Sequence, residues 1–262
     1  MRREYMTRLL GLDFTHLGTD GALAMLAARP ADAEFAYLVT PNADHLVRLS
    51  REPERYGPLY RDAAWRLLDS RVVAGLARVL GLESPPIAPG SDLTARLFAE
   101  VIRPSDRIAM LGGTEATAEA IRVRYGLQHL LHHDPPMGFD ADSAAFDAAL
   151  SFLEASRARF MFLGVGSPRQ EIVARALQHR RRARGTALCI GASLLFLSGE
   201  ERRAPQLVQR AGLEWAWRLS QSPTRLARRY LVEDPVLLAL LLRERRARRI
   251  ASGPASAAQR AP

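Results

Sequence analysis

Asp69 directly follows the apolar run Trp65-Arg66-Leu67-Leu68 and is itself followed by Ser70 and Arg71. A carboxylate at the end of a buried strand can take a proton from an attacking hydroxyl, so Asp69 is a candidate general base. The competing reading makes Asp69 the N-cap of the next helix. Ser70 can fill that place instead, which leaves the carboxylate for chemistry. Thr40-Pro41-Asn42 ends another apolar run, and its hydroxyl and amide could bind a sugar or a diphosphate. Asn after Pro is also ordinary turn chemistry.

Three glycine turns add candidate binding positions. Gly112-Gly113-Thr114 opens a helical segment, where close backbone approach and unpaired N–H groups suit an anion. Gly164-Val165-Gly166-Ser167-Pro168 has two glycines of a dinucleotide fingerprint, but Arg169 stands where the third belongs. That departure argues against a nicotinamide-dependent oxidoreductase. Gln170 and Glu171, just beyond, can read the hydroxyls and amides of a nucleotide or sugar. Gly191-Ala192 forms the third turn.

Other clusters read as structure. Asp140-Ala141-Asp142 matches a metal-holding D-x-D pattern, yet Asp142 or Ser143 would cap a helix there. His132 and His133 read as loop residues, because neighbours on an extended chain point apart. The sequence contains no Gly-x-Ser-x-Gly elbow and no phosphate-binding Gly-Lys-Ser/Thr loop.

The elements that must position these residues alternate as strand, turn and helix. Strands are expected at 35–40, 65–68, 107–111, 160–163 and 188–190, with helices at 43–51, 72–80, 114–125 and from about 169. A further helix opens at Ser91-Asp92, a good capping pair. Repeated strand–glycine–helix units imply an α/β fold with Rossmann-like, mostly parallel sheets flanked by helices. Ligands bind such sheets at the carboxyl ends of the strands. The expected core spans 1–200 in two halves that break near 85–105. A helical membrane-associating appendage spans 201–250, with Pro205, Pro223 and Pro235 at first helical turns, and a disordered tail spans 251–262.

Charge narrows the partners. The 262 residues carry a net charge of +9, and all 37 basic residues are arginine. That balance points to phosphorylated substrates, acidic lipid or nucleic acid. No nucleic-acid motif is present, and a nucleic-acid-binding module stays a weaker alternative. Arg225, Arg228 and Arg229 share a helical face. Arg243, Arg245, Arg246, Arg248 and Arg249 follow an apolar run at 236–242. This pattern reads as an interfacial membrane segment. A single cysteine, Cys189, fits a reducing compartment, and the absence of both a signal peptide and a spanning run fits a cytoplasmic protein resting on the inner membrane face.

Seven segments stand in the order found in one family: TPNADHLV (40–47), LLDSRVVAGLARVLG (67–81), GSDLTARLF (90–98), MLGG (110–113), PPMGF (135–139), FLGVGSPRQE (162–171) and RAPQLVQRAGLEWAWRL…SPTRLARRYL (203–231). Together they resemble the WecB/TagA/CpsF glycosyltransferases over residues 10–244. The resemblance implies an inverting transfer that needs no metal or cofactor. A sugar, N-acetylmannosamine type or glucose, would pass from UDP to an undecaprenyl-diphosphate-linked acceptor in surface polysaccharide assembly. It implies a base role for Asp69, a catalytic-pocket lining of Thr40 and Asn42, and a substrate role for Gln170. Arg218, Arg225 and Arg228 would hold the diphosphate from the appendage. Gly112, Gly113, Gly138, Phe139, Gly164, Gly166, Glu171 and Gly191 join them as candidate substrate contacts, and a homo-oligomer is compatible. Two departures stand out: Ile87 occupies a position that is arginine in many members, with Arg71 as a candidate substitute, and LDSR replaces a common PDG.

Overall fold

The computed structural model describes residues 6–200 and 234–251. The chain opens with a hairpin, β1 (Met6–Leu9) and β2 (Leu12–Thr15), and helix α1 (Thr19–Ala28) follows. The next elements are β3 (Ala36–Val39), α2 (Ala43–Arg51), α3 (Pro53–Arg61), β4 (Trp65–Arg66), α4 (Arg71–Val79) and α5 (Gly90–Arg96), the last continuing into a π-turn at Leu97–Val101. Then come β5 (Arg107–Leu111), α6 (Glu115–Tyr125), β6 (His129–His133), α7 (Ser143–Ser156), β7 (Phe160–Leu163), α8 (Arg169–Arg180), β8 (Thr186–Cys189) and α9 (Ser193–Ser198). The last described helix, α10, spans Asp234–Ala251.

Six strands form one sheet in the order β4-β3-β8-β7-β5-β6, and every pairing in it is parallel. A sheet covered on both faces buries both sets of side chains, so its strands read as continuous apolar runs. Alternate residues feed two separate cores. Tyr37, Val39, Ala109, Leu111, Met161 and Leu163 join α2, α3, α4, α7, α8 and α10 in one. Leu38, Ile108, Met110, Phe160, Phe162 and Leu188 join α1, α5, α6 and α9 in the other.

Three local expectations change. His132 and His133 belong to strand β6, not to a loop. Parallel pairing with β5 carries them, since Met110 faces His132 and Leu111 faces His133 across the ladder. Helix α5 begins at Gly90 behind Pro89 and has no side-chain cap, so Ser91 and Asp92 lie inside it. Strand β4 is only Trp65–Arg66; Leu68 instead bridges to Ile87, which packs its apolar side chain against the core.

The amino-terminal hairpin and α10 hold each other. The two-residue turn Leu10-Gly11 has φ of 50° and 77°, both positive. Such turns match the twist of a hairpin but strain a residue with a branched side chain. The Leu10 N–H donates to Glu244 Oε2 at 2.6 Å, and an Arg248 guanidinium nitrogen donates to the Arg8 carbonyl at 2.6 Å. Leu237 and Leu241 of α10 are fully buried. The carboxyl-terminal helix is therefore part of the first core. Leu241→Ala should cost about 2–5 kcal/mol, the usual range for emptying a buried leucine site. Urea unfolding will measure it, and a loss below about 1 kcal/mol would show that α10 does not seal that core.

Candidate active site

Parallel strands place all six carboxyl ends on one edge, and the candidate residues gather there. Asp69 follows β4, Thr40-Pro41-Asn42 follows β3, Gly191 follows β8, Gly164 and Gly166 follow β7, and Gly112-Gly113 follows β5. The helices leaving β3 and β7 pack into one core, while those leaving β8 and β5 pack into the other. Neighbouring turns thus splay to opposite faces, the arrangement at which open α/β sheets bind ligands.

Asp69 is half-buried, and its N–H donates to the Pro41 carbonyl at 3.0 Å. This bond ties the Asp69 backbone to the Thr40–Asn42 turn. Ser70 is the cap of α4: its Oγ accepts from the Val73 N–H at 3.2 Å. Thr40 is buried and donates from Oγ1 to the Cys189 carbonyl at 3.2 Å, which links β3 to β8. The Asn42 side chain caps α2 by accepting from the His45 N–H at 3.3 Å. Gly90, the first residue of the GSDL segment, lies so close that a Cβ there would stand 2.9 Å from Thr40 Oγ1. Sequence reading missed Gly90 as a site-forming residue, although its place in that segment was the available signal.

The glycine turns need glycine for space and for backbone angle. At Gly112, φ is 91°, and a Cβ would meet Val165 Cγ1 at 2.9 Å and the Gly164 carbonyl carbon at 3.1 Å. The β5 and β7 turns therefore touch backbone to backbone. His132 braces the first of them through ring nitrogens 3.0 Å from the Gly113 carbonyl and 3.0 Å from Glu115 Oε2.

Gln170 and Glu171 point inward. Gln170 is 2% exposed, and its Oε1 accepts from the Gly191 N–H at 2.9 Å while its Nε2 donates to Glu171 Oε1 at 2.8 Å. The pair joins α8 to the β8 turn from below. Burial pushes the Glu171 carboxyl above the usual carboxylate range, against the pull of the Gln170 bond and the Arg48 charge. Arg48 itself donates to Ser167 Oγ at 3.0 Å, fastening α2 to the β7 turn. Phe139 is buried against Phe146 in the core, and Gly138 before it has φ of 81°. The acidic pair is committed elsewhere: Asp142 caps α7, and Asp140 pairs with Arg169 at 2.8 Å. Arg218, Arg225 and Arg228 lie outside the described residues.

The family model described as Glycosyl transferase WecG/TagA/CpsF family matches residues 7–251. The chain belongs to this family and is a glycosyltransferase of cell-surface polysaccharide synthesis. That membership takes the place of the nicotinamide and nucleic-acid alternatives.

Glu171 yields a pH-dependent expectation. Its native pKa lies above its unfolded value, so the folded protein holds the proton more tightly. The associated stability is complete below the unfolded carboxylate range and is lost as pH rises through the native pKa. Glu171→Gln keeps an acceptor for Gln170 and removes the titration. Its stability relative to the native chain should therefore rise between about pH 5 and about pH 8. Urea midpoints at the two pH values test this, and a constant offset would mean that Glu171 titrates alike in both states.

Proposed function

We propose that the chain is an inverting, metal-independent hexosyltransferase. It takes a sugar of the N-acetylmannosamine type, or glucose, from UDP and places it on an undecaprenyl-diphosphate-linked sugar at the inner face of the membrane. The observation that carries this reading is the Asp69 carboxylate. Asp69 stands at the carboxyl edge of the sheet, its backbone N–H donates to the Pro41 carbonyl, and Ser70 Oγ caps the helix that follows.

In this mechanism the acceptor hydroxyl attacks the anomeric carbon while Asp69 takes its proton. The bond from that carbon to the diphosphate oxygen breaks, and its electron pair leaves with UDP. One displacement inverts the anomeric centre. Charge grows on the diphosphate as it leaves, and donors placed for that charge lower the barrier by a few kcal/mol each, roughly 3 in well-studied sites. The glycine turns offer backbone approach to it, and Arg218, Arg225 and Arg228 would supply guanidinium groups. Ile87 is occupied in packing, so Arg71 is the arginine proposed in its stead. Arg71 opens α4 two residues after Asp69 and stands 4.0 Å from Asp92. Commitment of Asp140 to Arg169 and of Asp142 to the α7 cap supports a reaction without a metal at that stretch.

Two substitutions at adjacent positions separate chemistry from folding. Asp69→Asn should bind UDP with unchanged affinity in calorimetry yet lose about 10²–10⁴ in turnover, the usual weight of a general base. Ser70→Ala should cost about 1 kcal/mol of stability, the weight of an N-cap, while turnover stays near that of the native chain. Full turnover in the Asn variant would remove Asp69 from the base role. Chelation by EDTA should leave turnover unchanged, and a chelator-sensitive enzyme would refute the metal-independent step. Mass spectrometry of products from a panel of UDP-sugars would name the donor.

A further inference from the structure

The His132 ring stands between two acceptors. Its Nε2 lies 3.0 Å from the Gly113 carbonyl oxygen, and its Nδ1 lies 3.0 Å from Glu115 Oε2. A carbonyl oxygen only accepts, and so does a carboxylate. A neutral imidazole has one N–H and can serve one of the two. Its second nitrogen would then set a lone pair against an oxygen lone pair. Both bonds together need two N–H groups, which the imidazolium has. The His132 side chain is 6% exposed, which leaves little room for water to mediate either contact.

The bond to Gly113 pins one peptide of the β5 turn. At the far end of that peptide the Thr114 N–H donates to Thr117 Oγ1 at 3.2 Å. The peptide before the glycine pair is held as well, since the Gly112 N–H donates to the His133 carbonyl at 2.8 Å. Between these two lies the peptide that carries the Gly113 N–H. Glycines at φ of 91° and 81° have no side chain to resist rotation, so the flanking bonds set its direction. Charge adds to this. Glu115 is the first residue of α6, beside the turn proposed for the diphosphate. A bare carboxylate there repels that anion, and an imidazolium bonded to it cancels the charge. Farther along α6, Arg122 pairs with Glu119 at 2.7 Å and donates to the Leu130 carbonyl at 3.2 Å. Glu200, just after α9, is bonded to Thr117 Oγ1. The β5 residue in register with His132 is the apolar Met110, and the exposed Asp134 follows the strand. His129 and His133 alternate to the opposite face of β6, where the His133 ring lies 5.3 Å from that of Phe152.

We infer that His132 is a positioning residue for the sugar donor: as the imidazolium it bridges Glu115 and the Gly113 carbonyl, neutralises the first and aims the Gly113 N–H at the donor diphosphate. This rests on the reading of the glycine turns as the diphosphate contact. Donor binding then depends on the proton that the ring carries. When that proton leaves as pH rises, one of the two bonds breaks and the Glu115 charge is uncovered beside the diphosphate. Affinity for the donor therefore falls with rising pH.

Glu115→Gln separates this role from a merely structural brace. An amide can donate as well as accept, so in this variant a neutral ring keeps both bonds. The Glu115 side chain is 76% exposed, and its replacement leaves the fold intact. Calorimetry with UDP compares the full-length variant with the native chain at about pH 5.5 and about pH 8.5, either side of the range in which histidines usually titrate. The ratio of the two affinities at each pH cancels the ionisation of UDP itself. The two proteins should bind UDP alike at the lower pH. At the higher pH the variant should bind about tenfold more tightly, the weight of one hydrogen bond to a charged group. His132→Ala should bind about tenfold more weakly than the native chain at the lower pH and nearly as well at the higher. Nitrogen NMR, with the His132 signals assigned by their absence from His132→Ala, should show two protonated ring nitrogens at the lower pH. A neutral ring there would overturn the inference. So would one and the same ratio of Glu115→Gln to native affinity at both pH values, because a uniform gain is a plain charge effect. If UDP fails to bind the native chain at either pH, the donor reading falls and takes this inference with it; normal UDP binding with an unchanging ratio sinks this inference alone.

Discussion

Parallel pairing of six short strands is the constraint on which the rest of the molecule depends. Parallel strands need crossovers, and the crossovers cover both faces with helices. Every strand then ends at the same edge. Asp69, Thr40, Gly112, Gly164 and Gly191 are distant in sequence but share that edge because the strands they follow lie parallel in one sheet. The close approaches follow from the same geometry. Gly112 against Gly164 and Gly90 against Thr40 leave no room for a Cβ, so glycine is needed where the turns crowd.

The polar groups beneath that edge set its rigidity. Gln170 holds the Gly191 N–H, Thr40 holds the Cys189 carbonyl, and Arg48 holds Ser167. Each bond crosses from one strand-end turn to another element, so the turns are mutually braced and do not depend on their own short spans. In a dry interior such bonds are stronger than at the surface, and a missing partner is costly. Full burial favours the protonated form of Glu171, opposed by the Gln170 hydrogen bond and the Arg48 charge. Positioning of the crevice thus falls to residues that the crevice itself does not expose.

Much of this was legible in the sequence because it rests on period and on local chemistry. Helix α2 falls at residues 43–51 as read from its apolar spacing. The Ser70 cap was visible as an alternative to Asp69 for the same local reason. What stayed hidden depends on distant partners. The hairpin β1–β2 has a Leu-Gly turn whose strain is met by Glu244, more than two hundred residues on. The histidines of β6 look polar enough for a loop, and only the ladder from β5 makes them strand. Gln170 and Glu171 look like surface readers of a ligand until the fold folds them inward. Their types suit hydrogen bonding, and the partners the fold gives them, the Gly191 N–H and each other, are not encoded locally.

Helix α4 joins these levels. Its first turn is shaped by Ser70, so that Asp69 is left at the sheet edge. Its inner face, Val73, Ala74 and Ala77, is fully buried in the first core. Its outer line is Val72, Gly75 and Val79, with Arg78 beside the last. A helix packed that firmly holds its first residue, and Asp69 just before it, in a fixed place against the sheet edge.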